Sequence, residues 1–377
     1  MISLSRENRP WFFSLLVLTA LMLIVMLYFG IHLKGFRPSN NVRWFSSGIG
    51  LAFEASSQAY TESFFTGSGS GSGMDLTIEL AVQSGYFRKS GIGVLMMVHD
   101  GDDNSQLVIC QWQSSLIIMN GNDYSYQRRM PRVSIKLDPD RHEPYLITIV
   151  SNKAGTRIFL DGALKKSKKD LVLRYPSGTA QARLVVANSV TGRDSWAGTM
   201  SGLAFYDHGL ENDAIARHFE MWRMKRNFSA FKRHGPRLLY AFDEGQGERI
   251  KNKLGDGFDL IVPASVKVLQ TKAFSWPQWE ELGKPDRVND MLVNFAGFMP
   301  LGFLLMTTLS RLEGFRVRRA FLTALIGSFL FSLGIETIQM WIPYRHSSML
   351  DLILNTLGGG AGALLFPMIR IPGRKLG

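Results

Sequence analysis

The chain alternates between long apolar runs and a polar middle part in which hydrophobic residues recur in short groups. Residues 11–33 contain no Asp, Glu, Lys or Arg, and a run of this length can cross a roughly 30 Å hydrocarbon layer as a helix. Three further apolar runs lie near the C-terminus, at residues 288–310, 320–342 and 349–369. The pattern predicts an integral membrane protein with four spanning helices.

The hydrophobic period shortens to that of β-strands between residues 34 and 275. Eight segments there are rich in β-branched and aromatic residues and are separated by turn-forming residues, which is typical of an all-β sandwich or barrel. These segments are DLTIELAVQ, GVLMMVHD, QLVICQW, SLIIMNG, YLITIVSN, TRIFLDG, ARLVVAN and GTMSGLAFYD. We therefore predict a β-sandwich at 34–275, a linker at 276–287 and a three-helix membrane bundle at 288–370.

One segment of the β-rich part has helical spacing. In residues 211–228 the apolar Ile215, Phe219 and Trp222 recur at helical intervals, while the basic residues lie elsewhere. We interpret this segment as a helix that covers the sandwich, and a basic helix on the membrane surface is the alternative. The Gly- and Ser-rich residues 66–75 lie between predicted strands, so we interpret them as a loop.

Positive charge sets the predicted orientation in the membrane. Basic residues concentrate in the N-terminal tail, in the loop at 311–319 and in the tail at 371–377. The positive-inside rule places these segments in the cytoplasm, and four spans then place residues 34–287 outside. A secretory signal is the alternative for residues 1–33, but the apolar run is long and lacks a clear small-x-small cleavage site, so we expect an uncleaved anchor.

The charge of the middle part bears on its partners. The whole chain has a formal net charge of +12, and residues 34–287 hold 33 Lys and Arg against 26 Asp and Glu. In a domain outside the cytoplasm, this excess favours anionic glycans or lipid head groups over nucleic acid, although an ordinary soluble surface also accounts for it. The single cysteine, Cys110, excludes an intrachain disulfide and a metal site built from several thiolates.

Polar residues interrupt the three C-terminal spans at corresponding depths. Glu336 and Gln339 lie near the outer end of one span, and Asp351 and Asn355 lie in the first turns of the next. Each pair is three or four residues apart and therefore shares one helix face. We predict that six polar residues meet in the outer third of the bilayer: Asn294, Glu336, Gln339, Arg345, Asp351 and Asn355.

Two interpretations of this cluster are open. A charge near the centre of a membrane helix costs about 2.5–3.5 kcal/mol and often marks a functional site. Glu336, Arg345 and Asp351 could form an ion-paired clasp that holds the bundle together. Alternatively, a cleft receives a head group, with Arg345 binding its phosphate or carboxylate and the two acids orienting it or exchanging protons. We also expect Gly358 and Gly362 to permit close helix approach.

The β segment resembles laminin G-like and concanavalin A-like jelly rolls over residues 45–270. The likeness rests on RIFLDG, on the stretch that begins ARLVVAN, and on LLYAFDEGQGERI, which follow one another in the order found in those folds. Asp161 and Gly162 within RIFLDG suit a two-residue hairpin turn, because both tolerate positive φ. The resemblance implies a module that binds glycans or proteins.

Some proteins of this fold are glycoside hydrolases, but the expected acidic pattern is incomplete here. Only Asp75 and Glu79 match it, and two residues four apart on a strand are about 13 Å apart, whereas a retaining glycosidase needs carboxyl groups about 5 Å apart. Clustered oxygens in residues 100–104 offer a possible calcium site, with an ordinary solvated turn as the simpler interpretation. We expect no other cofactor and no other metal.

The C-terminal spans resemble the VanZ-like family over residues 286–370. The likeness rests on three ordered motifs, NFAGFMPLGFLL, SLGIETIQ and PYRHSSMLDLILNTLGGGAG. It implies that the family's characteristic positions fall on Asn294, Pro300, Glu336, Gln339, Arg345, Asp351, Asn355 and Gly358. VanZ itself is linked with reduced sensitivity to the glycopeptide teicoplanin. An anchor and a jelly roll precede the bundle in this chain, so the resemblance alone does not predict glycopeptide resistance.

These observations predict a bacterial-type cell-envelope protein. The outside jelly roll would bind a polysaccharide or other glycan, and the bundle would engage a lipid or a lipid-linked glycan at the outer leaflet. Two alternatives are open: a membrane enzyme that uses Glu336 or Asp351 as acid or base, and a scaffold for other envelope proteins. The enzyme interpretation has no strong nucleophile or metal set behind it.

Overall fold

A computed structural model describes most of the chain. The described residues are 9–31, 38–46, 49–63, 75–85, 91–176, 182–224, 231–255, 257–271, 273–276, 282, 285–312, 316–343, 345 and 347–368. Most of the predicted loop at 66–75, most of the linker and the whole tail at 371–377 lie outside these residues. The chain forms two compact units, one comprising residues 37–270 and the other comprising residues 1–36 with 271–377.

Within the described residues, the first sheet of the β unit contains eight antiparallel strands. Seven follow one another across the sheet: β1 (Val42–Trp44), β2 (Leu51–Phe53), β13 (Gly198–Tyr206), β4 (Leu76–Ser84), β9 (Tyr145–Asn152), β10 (Gly155–Leu160) and β11 (Ala163–Lys168). The eighth, β14 (Leu238–Tyr240), pairs with the second half of β13. The long strands β13, β4 and β9 form the centre of this sheet.

The second sheet likewise has eight antiparallel strands in the part of the chain that the structure describes. Their order is β15 (Arg249–Ile250), β16 (Leu260–Ile261), β3 (Ala59–Thr61), β12 (Arg183–Val186), β5 (Gly93–His99), β6 (Leu107–Trp112), β7 (Ser115–Asn120) and β8 (Arg132–Lys136). Strands β5 to β8 form a simple meander in which each strand pairs with the next.

The two sheets enclose one large hydrophobic core. Successive side chains of a strand point to opposite faces, and alternate residues such as Ile147 and Ile149 of β9 meet residues of the second sheet such as Ile109 and Leu184. Burying a Leu or Ile side chain stabilises a fold by about 1.5–3 kcal/mol. The predicted all-β sandwich is confirmed, and each of the eight predicted segments contains an observed strand.

The outer face of the first sheet is covered by α2 (Asn212–Met224). Ile215 and Trp222 of this helix pack with Leu146 and Val150 of β9 in a second hydrophobic cluster. Gly202 of β13 makes this approach possible, because a Cβ there would overlap the Trp222 ring. The prediction that this segment covers the sandwich is confirmed, since its apolar face packs against the sheet.

The membrane unit contains four helices long and apolar enough to cross a bilayer, among the residues that the structure describes. They are α1 (Arg9–Ile31), α3 (Pro285–Leu309), α4 (Val317–Gln339) and α5 (Met349–Met368). Pro300 lies inside α3. Residues 274 and 275 bond to the turn before α5, where Phe274 N donates to Ser347 Oγ over 3.2 Å.

The anchor helix α1 packs as a fourth member of the bundle. Its Leu23 and Met26 contact a cluster that contains Phe298 and Leu301 of α3 and Ile335 of α4. The sequence predicts an anchor and a separate three-helix bundle because α1 is almost uniformly apolar and has no distinct packing face. The observed contacts join all four helices.

Helices α3 and α5 pack closely through glycine. A Cβ on Gly358 would overlap the carbonyl oxygen of Phe295, and a Cβ on Gly362 would overlap that of Met299. Gly302 of α3 faces the backbone of α5 in the same way. Small residues allow membrane helices to gain van der Waals contact where no hydrophobic driving force is available.

Candidate functional site

The carboxylate of Glu336 joins the end of α4 to the start of α5. Glu336 is 2% exposed, and its Oε2 accepts a hydrogen bond from the backbone N–H of Ser348 over 2.7 Å. The side chain of Ser347 also lies close to this carboxylate. Free N–H groups at a helix N-terminus attract negative charge. Glu336 therefore lies where the first turn of α5 can stabilise it.

Asp351 lies one turn into α5 and faces α3. Its backbone N–H donates to Ser348 Oγ over 3.3 Å, which makes Ser348 the N-cap of the helix. Its carboxylate lies near the Asn294 side chain of α3 and near the charges of Arg287 and Asp290. The helical spacing thus brings Asn294 and Asp351 together across two helices.

Gln339 and Arg345 both bind the end of α1. Gln339 Nε2 donates to the carbonyl oxygen of Gly30 over 2.7 Å, and an Arg345 Nη2 hydrogen donates to the same oxygen over 2.6 Å. The last carbonyls of a helix lack intrahelical partners and carry partial negative charge. In this structure the negatively polarised group that Arg345 contacts is therefore a carbonyl oxygen at the C-terminal end of α1.

Asn355 occupies a deeper position in the bundle. It is 4% exposed, and its Nδ2 donates to Ser332 Oγ of α4 over 2.9 Å. Two buried polar atoms of the cluster have no hydrogen-bond partner among the described residues, the acceptor Asn355 Oδ1 and the donor Arg345 Nε. An unsatisfied buried group costs about 1–3 kcal/mol.

The predicted six residues thus bond mainly to groups outside the set rather than forming one ion-paired clasp. Among the described residues, Glu336, Arg345 and Asp351 make no ion pair with one another within 4.0 Å. The interpretation as a direct three-way ion pair is wrong, because Arg345 turns to the carbonyls of α1 and Glu336 to the amide of Ser348. Arg345 still contributes positive charge near both acids.

The predicted hairpin turn borders two grooves of the β unit. Asp161 and Gly162 join β10 to β11 with φ of 52° and 77°. Asp161 Oδ2 accepts a hydrogen bond from Arg141 Nη1 over 2.5 Å, and the Arg141 guanidinium carbon lies 3.9 Å from the centre of the Tyr145 ring. These three residues line both grooves, which have volumes of about 1,020 Å³ and 840 Å³.

Carboxylate oxygens at the possible calcium site, residues 100–104, accept hydrogen bonds from neighbouring protein groups. Asp100 Oδ1 accepts from Ser105 Oγ over 2.8 Å, and Asp102 Oδ1 accepts from the backbone N–H of Asn104 over 2.9 Å. Among the described residues no group of three His, Cys, Asp or Glu side chains is arranged to hold a metal ion. Cys110 is fully buried, and burial raises the pKa of its thiol to about 12.

A buried polar chain in the β unit was missed by the sequence reasoning. His218 of α2 contacts Glu79 of β4 through Nδ1 and His234 through Nε2, the latter over 2.6 Å. Tyr206 donates to Glu79 Oε2 over 3.1 Å. Burial, together with the nearby His218 and Arg217, lowers the pKa of His234. The partners are separated by up to 139 residues, so no local motif reveals them.

Comparison with known proteins finds a family resemblance in the C-terminal part. Residues 240–370 match the model of the VanZ/LLP1 family, and this match begins earlier than the segment from residue 286 that the motifs indicate. No curated protein matches the chain.

Several solved structures match the β unit weakly. The receptor-binding domain of botulinum neurotoxin type G is 11% identical over 49% of this chain and 45% of its own, with a TM-score of 0.35. The CBM40 of the Ruminococcus gnavus IT-sialidase, bound to alpha2,3 sialyllactose, is 10% identical over 45% and 96%, also with a TM-score of 0.35. Domain 4 of AbnA, an arabinanase from Geobacillus stearothermophilus, in complex with arabinotriose, is 12% identical over 48% and 85%, with a TM-score of 0.36.

The chain spans about half the length of the first solved structures that it matches, between 45% and 52%. At these scores the likenesses carry no argument about ligand, and the sandwich assignment rests on the observed sheets. The four apolar helices and the family match agree about the membrane unit. The chain is therefore a membrane protein whose residues 240–370 are VanZ-like.

Proposed function

We propose that this is a cell-envelope membrane protein that engages the head group of a lipid or lipid-linked glycan in its bundle and binds a glycan with its β-sandwich. In this proposal the β unit lies outside the cytoplasm and both termini lie inside, as the distribution of basic residues favours. The polar cluster then lies near the outer leaflet.

The observation that carries the proposal is the pair of unfilled hydrogen-bonding atoms in the bundle. Asn355 Oδ1 needs a donor and Arg345 Nε needs an acceptor. A head group that combines hydroxyls with phosphate or carboxylate oxygens supplies both. Binding would remove the cost of about 1–3 kcal/mol that each unsatisfied buried atom imposes.

An apolar groove in the same unit supports a lipid as the ligand. It lies between α1 and α3 and has a volume of about 430 Å³. Its lining is entirely hydrophobic and comprises Leu18, Leu21, Met22, Val25, Pro300, Phe303 and Leu304. Pro300 lacks a backbone N–H, so it presents no donor to an acyl chain lying in this groove.

The larger groove of the β unit supports glycan binding. It has a volume of about 1,020 Å³ and is lined by hydrogen-bonding side chains such as His142, Glu143 and Ser201, with the half-buried ring of Phe219 beside them. Concave sites with convergent polar groups and some apolar surface are the usual form of small-ligand sites. A glycan presents matching hydroxyls and apolar ring faces.

The test is the identity of lipids that co-purify with the full-length protein in mild detergent, measured by mass spectrometry. Asn355→Leu should deplete one head-group class relative to wild type, because it removes the unfilled acceptor. Thr356→Val is the matched control, since the Thr356 hydroxyl bonds to Leu352 O of its own helix. Equal lipid profiles for all three proteins would refute head-group binding.

The lipids of cells that produce the protein distinguish binding from catalysis. Glu336→Gln at normal protein level should leave the cellular pool of lipid-linked intermediates unchanged if the protein only binds. Accumulation of one intermediate would instead support the enzyme alternative, with Glu336 as acid or base.

A further inference from the structure

The smaller groove of the β unit is strongly basic. It lies between β8 and β11, has a volume of about 840 Å³, and is lined by Lys136, Lys165, Lys166 and Arg141. Among the described residues of this lining, two are acidic, Asp138 and Asp161. Asp161 is already paired with Arg141, so three lysine charges face one remaining carboxylate.

A β-bulge explains why two consecutive lysines line one groove. In a regular strand Lys165 and Lys166 would point to opposite faces. The register between β10 and β11 shifts here, because Ile158 pairs with Lys166 and Phe159 pairs with Leu164. Lys165 is therefore the extra residue, and a bulge of this kind redirects side chains. Both lysines contact the same groove as a result.

The three lysines are available for a ligand. The side chains of Lys136, Lys165 and Lys166 are exposed, and none makes a hydrogen bond or an ion pair within the described parts of the chain. Lys168 of the same strand differs, since its Nζ lies 3.8 Å from Asp170 and donates to Arg132 O. The strand thus holds one lysine in place and leaves its neighbours free.

We propose that this groove binds an anionic polysaccharide through carboxylate, sulfate or phosphate groups carried along the chain. This inference rests on the proposed function and adds the charge class of the glycan. The two grooves share Arg141, Tyr145 and Asp161, so a linear polymer can pass from the lysines into the larger groove. Ion pairs along this path give attraction that is screened by salt.

The shape and lining of the groove favour a polysaccharide over other polyanions. A planar membrane surface reaches the rim of a concave groove but not its floor. Single-stranded nucleic acid is bound on exposed aromatic faces, whereas the one aromatic ring among the described lining residues, Tyr145, is 7% exposed and has Arg141 over its face.

The test measures binding of the full chain in detergent to two probes, polygalacturonate and neutral dextran. We expect polygalacturonate to bind more tightly than dextran and to weaken as NaCl rises. The double variant Lys165→Glu/Lys166→Glu should weaken this binding at least tenfold. The control Lys153→Glu/Lys169→Glu changes the net charge equally with exposed lysines outside the groove lining, and it should weaken binding less than threefold.

Each other outcome overturns the inference in a distinguishable way. Equal weakening by both double variants would show a general charge effect rather than a site. Binding of dextran as tight as polygalacturonate, unaffected by the groove variant, would leave glycan binding intact but refute the anionic class. Binding of neither polymer would refute the glycan half of the proposed function as well. A groove variant that loses binding only to anionic vesicles or to RNA would assign the lysines to those partners instead.

Replacing polygalacturonate by heparin and by poly(glycerol phosphate) then ranks the carboxylate, sulfate and phosphate groups by how tightly the groove binds them.

Discussion

His218 Nδ1 lies 2.9 Å from Glu79 Oε1 at a point where neither side chain is exposed. The chain of contacts extends from Glu79 to Tyr206 on one side and from His218 to His234 on the other. These residues come from β4, β13, α2 and the segment after α2. The polar chain therefore fixes α2 to the outer face of the first sheet, in addition to the apolar contacts of Trp222 and Ile215.

Replacing Glu79 should destabilise the β unit strongly. Glu79→Leu leaves His218 Nδ1–H and the Tyr206 hydroxyl buried without an acceptor, and each buried donor left unsatisfied costs about 1–3 kcal/mol. For a unit of this size, each kcal/mol shifts the melting temperature by about 2–4 °C. We expect a decrease of about 4 °C or more, measured by tryptophan fluorescence of the full chain in detergent.

Asp75→Asn is the control for this prediction. Asp75 is exposed and directly precedes the same strand, so its substitution should shift the melting temperature by no more than about 1 °C, as surface changes usually do. Equal melting of Glu79→Leu and Asp75→Asn would mean that the buried pair contributes nothing to stability.

The stability of the β unit should fall as the pH falls below about 6.5. Burial lowers the pKa of His234, and the nearby His218, Arg217 and His208 lower it further, while Glu79 opposes them. The unfolded chain therefore binds a proton more readily than the folded chain, and stability increases with pH between the two pKa values. The loss begins near the unfolded value of about 6.5 and continues down to the lower folded value.

Unfolding midpoints in urea at pH 7.5, 6.5 and 5.5 measure this effect. His234→Gln removes the titrating group and should flatten the pH dependence, whereas His142→Gln, at an exposed position, should preserve it. A wild-type midpoint that stays constant over this range would contradict the assignment to His234.

Much of the sandwich was predictable because its long strands carry their own pattern. Strands such as β5 and β6 are rich in β-branched and apolar residues over their whole length, since both faces are covered. The predicted hairpin turn at Asp161 and Gly162 implies a strand after it, but β11 (Ala163–Lys168) shows no strand pattern of its own, because it lies at the sheet edge and almost every residue in it is exposed. The two- and three-residue strands β1, β15 and β16 are too short to show a period.

In the candidate site, the sequence predicted which side chains lie near each other. It did not predict which side chains bond to the backbone. Helical spacing predicted that Asn294 and Asp351 would meet, and their side chains lie near each other across α3 and α5. The partner of Gln339 and Arg345 is the carbonyl oxygen of Gly30. Every residue has such an oxygen, so nothing in the sequence distinguishes this one. Only the packing of α1 on the bundle brings it within reach.

Arg345→Met should loosen the attachment of α1. The change removes one of the two side-chain donors to Gly30 O, and a hydrogen bond from a charged group contributes about 1.5–3 kcal/mol. The melting temperature of the membrane unit in detergent should fall, and adding Gln339→Leu should lower it further because Gly30 O then loses both donors. Circular dichroism at 222 nm during heating follows the helices.

Two further variants, Arg345→Lys and Arg318→Met, distinguish the effect of the Arg345 hydrogen bond from the effect of positive charge alone. Lysine keeps the positive charge but is shorter and lacks the planar fork of donors, so it should restore only part of the stability. Arg318 is exposed on the first turn of α4, and its loss should have little effect. A full restoration by lysine would show that charge near the α1 terminus suffices without the observed geometry.

Gly362→Ala should destabilise the bundle, although alanine is the better helix former in isolation. A methyl group at this position would overlap Met299 O, and one at Gly358 would overlap Phe295 O. Because the obstacle is backbone rather than a mobile side chain, α3 and α5 must separate, and overpacking of this kind costs about 1–3 kcal/mol.

Gly334→Ala is the matched control, because its Cβ would meet nothing within 4 Å. Melting in detergent should fall for Gly362→Ala and Gly358→Ala and remain unchanged or rise for Gly334→Ala. Equal melting of all three would show that α3 and α5 do not approach as closely as the glycine contacts require.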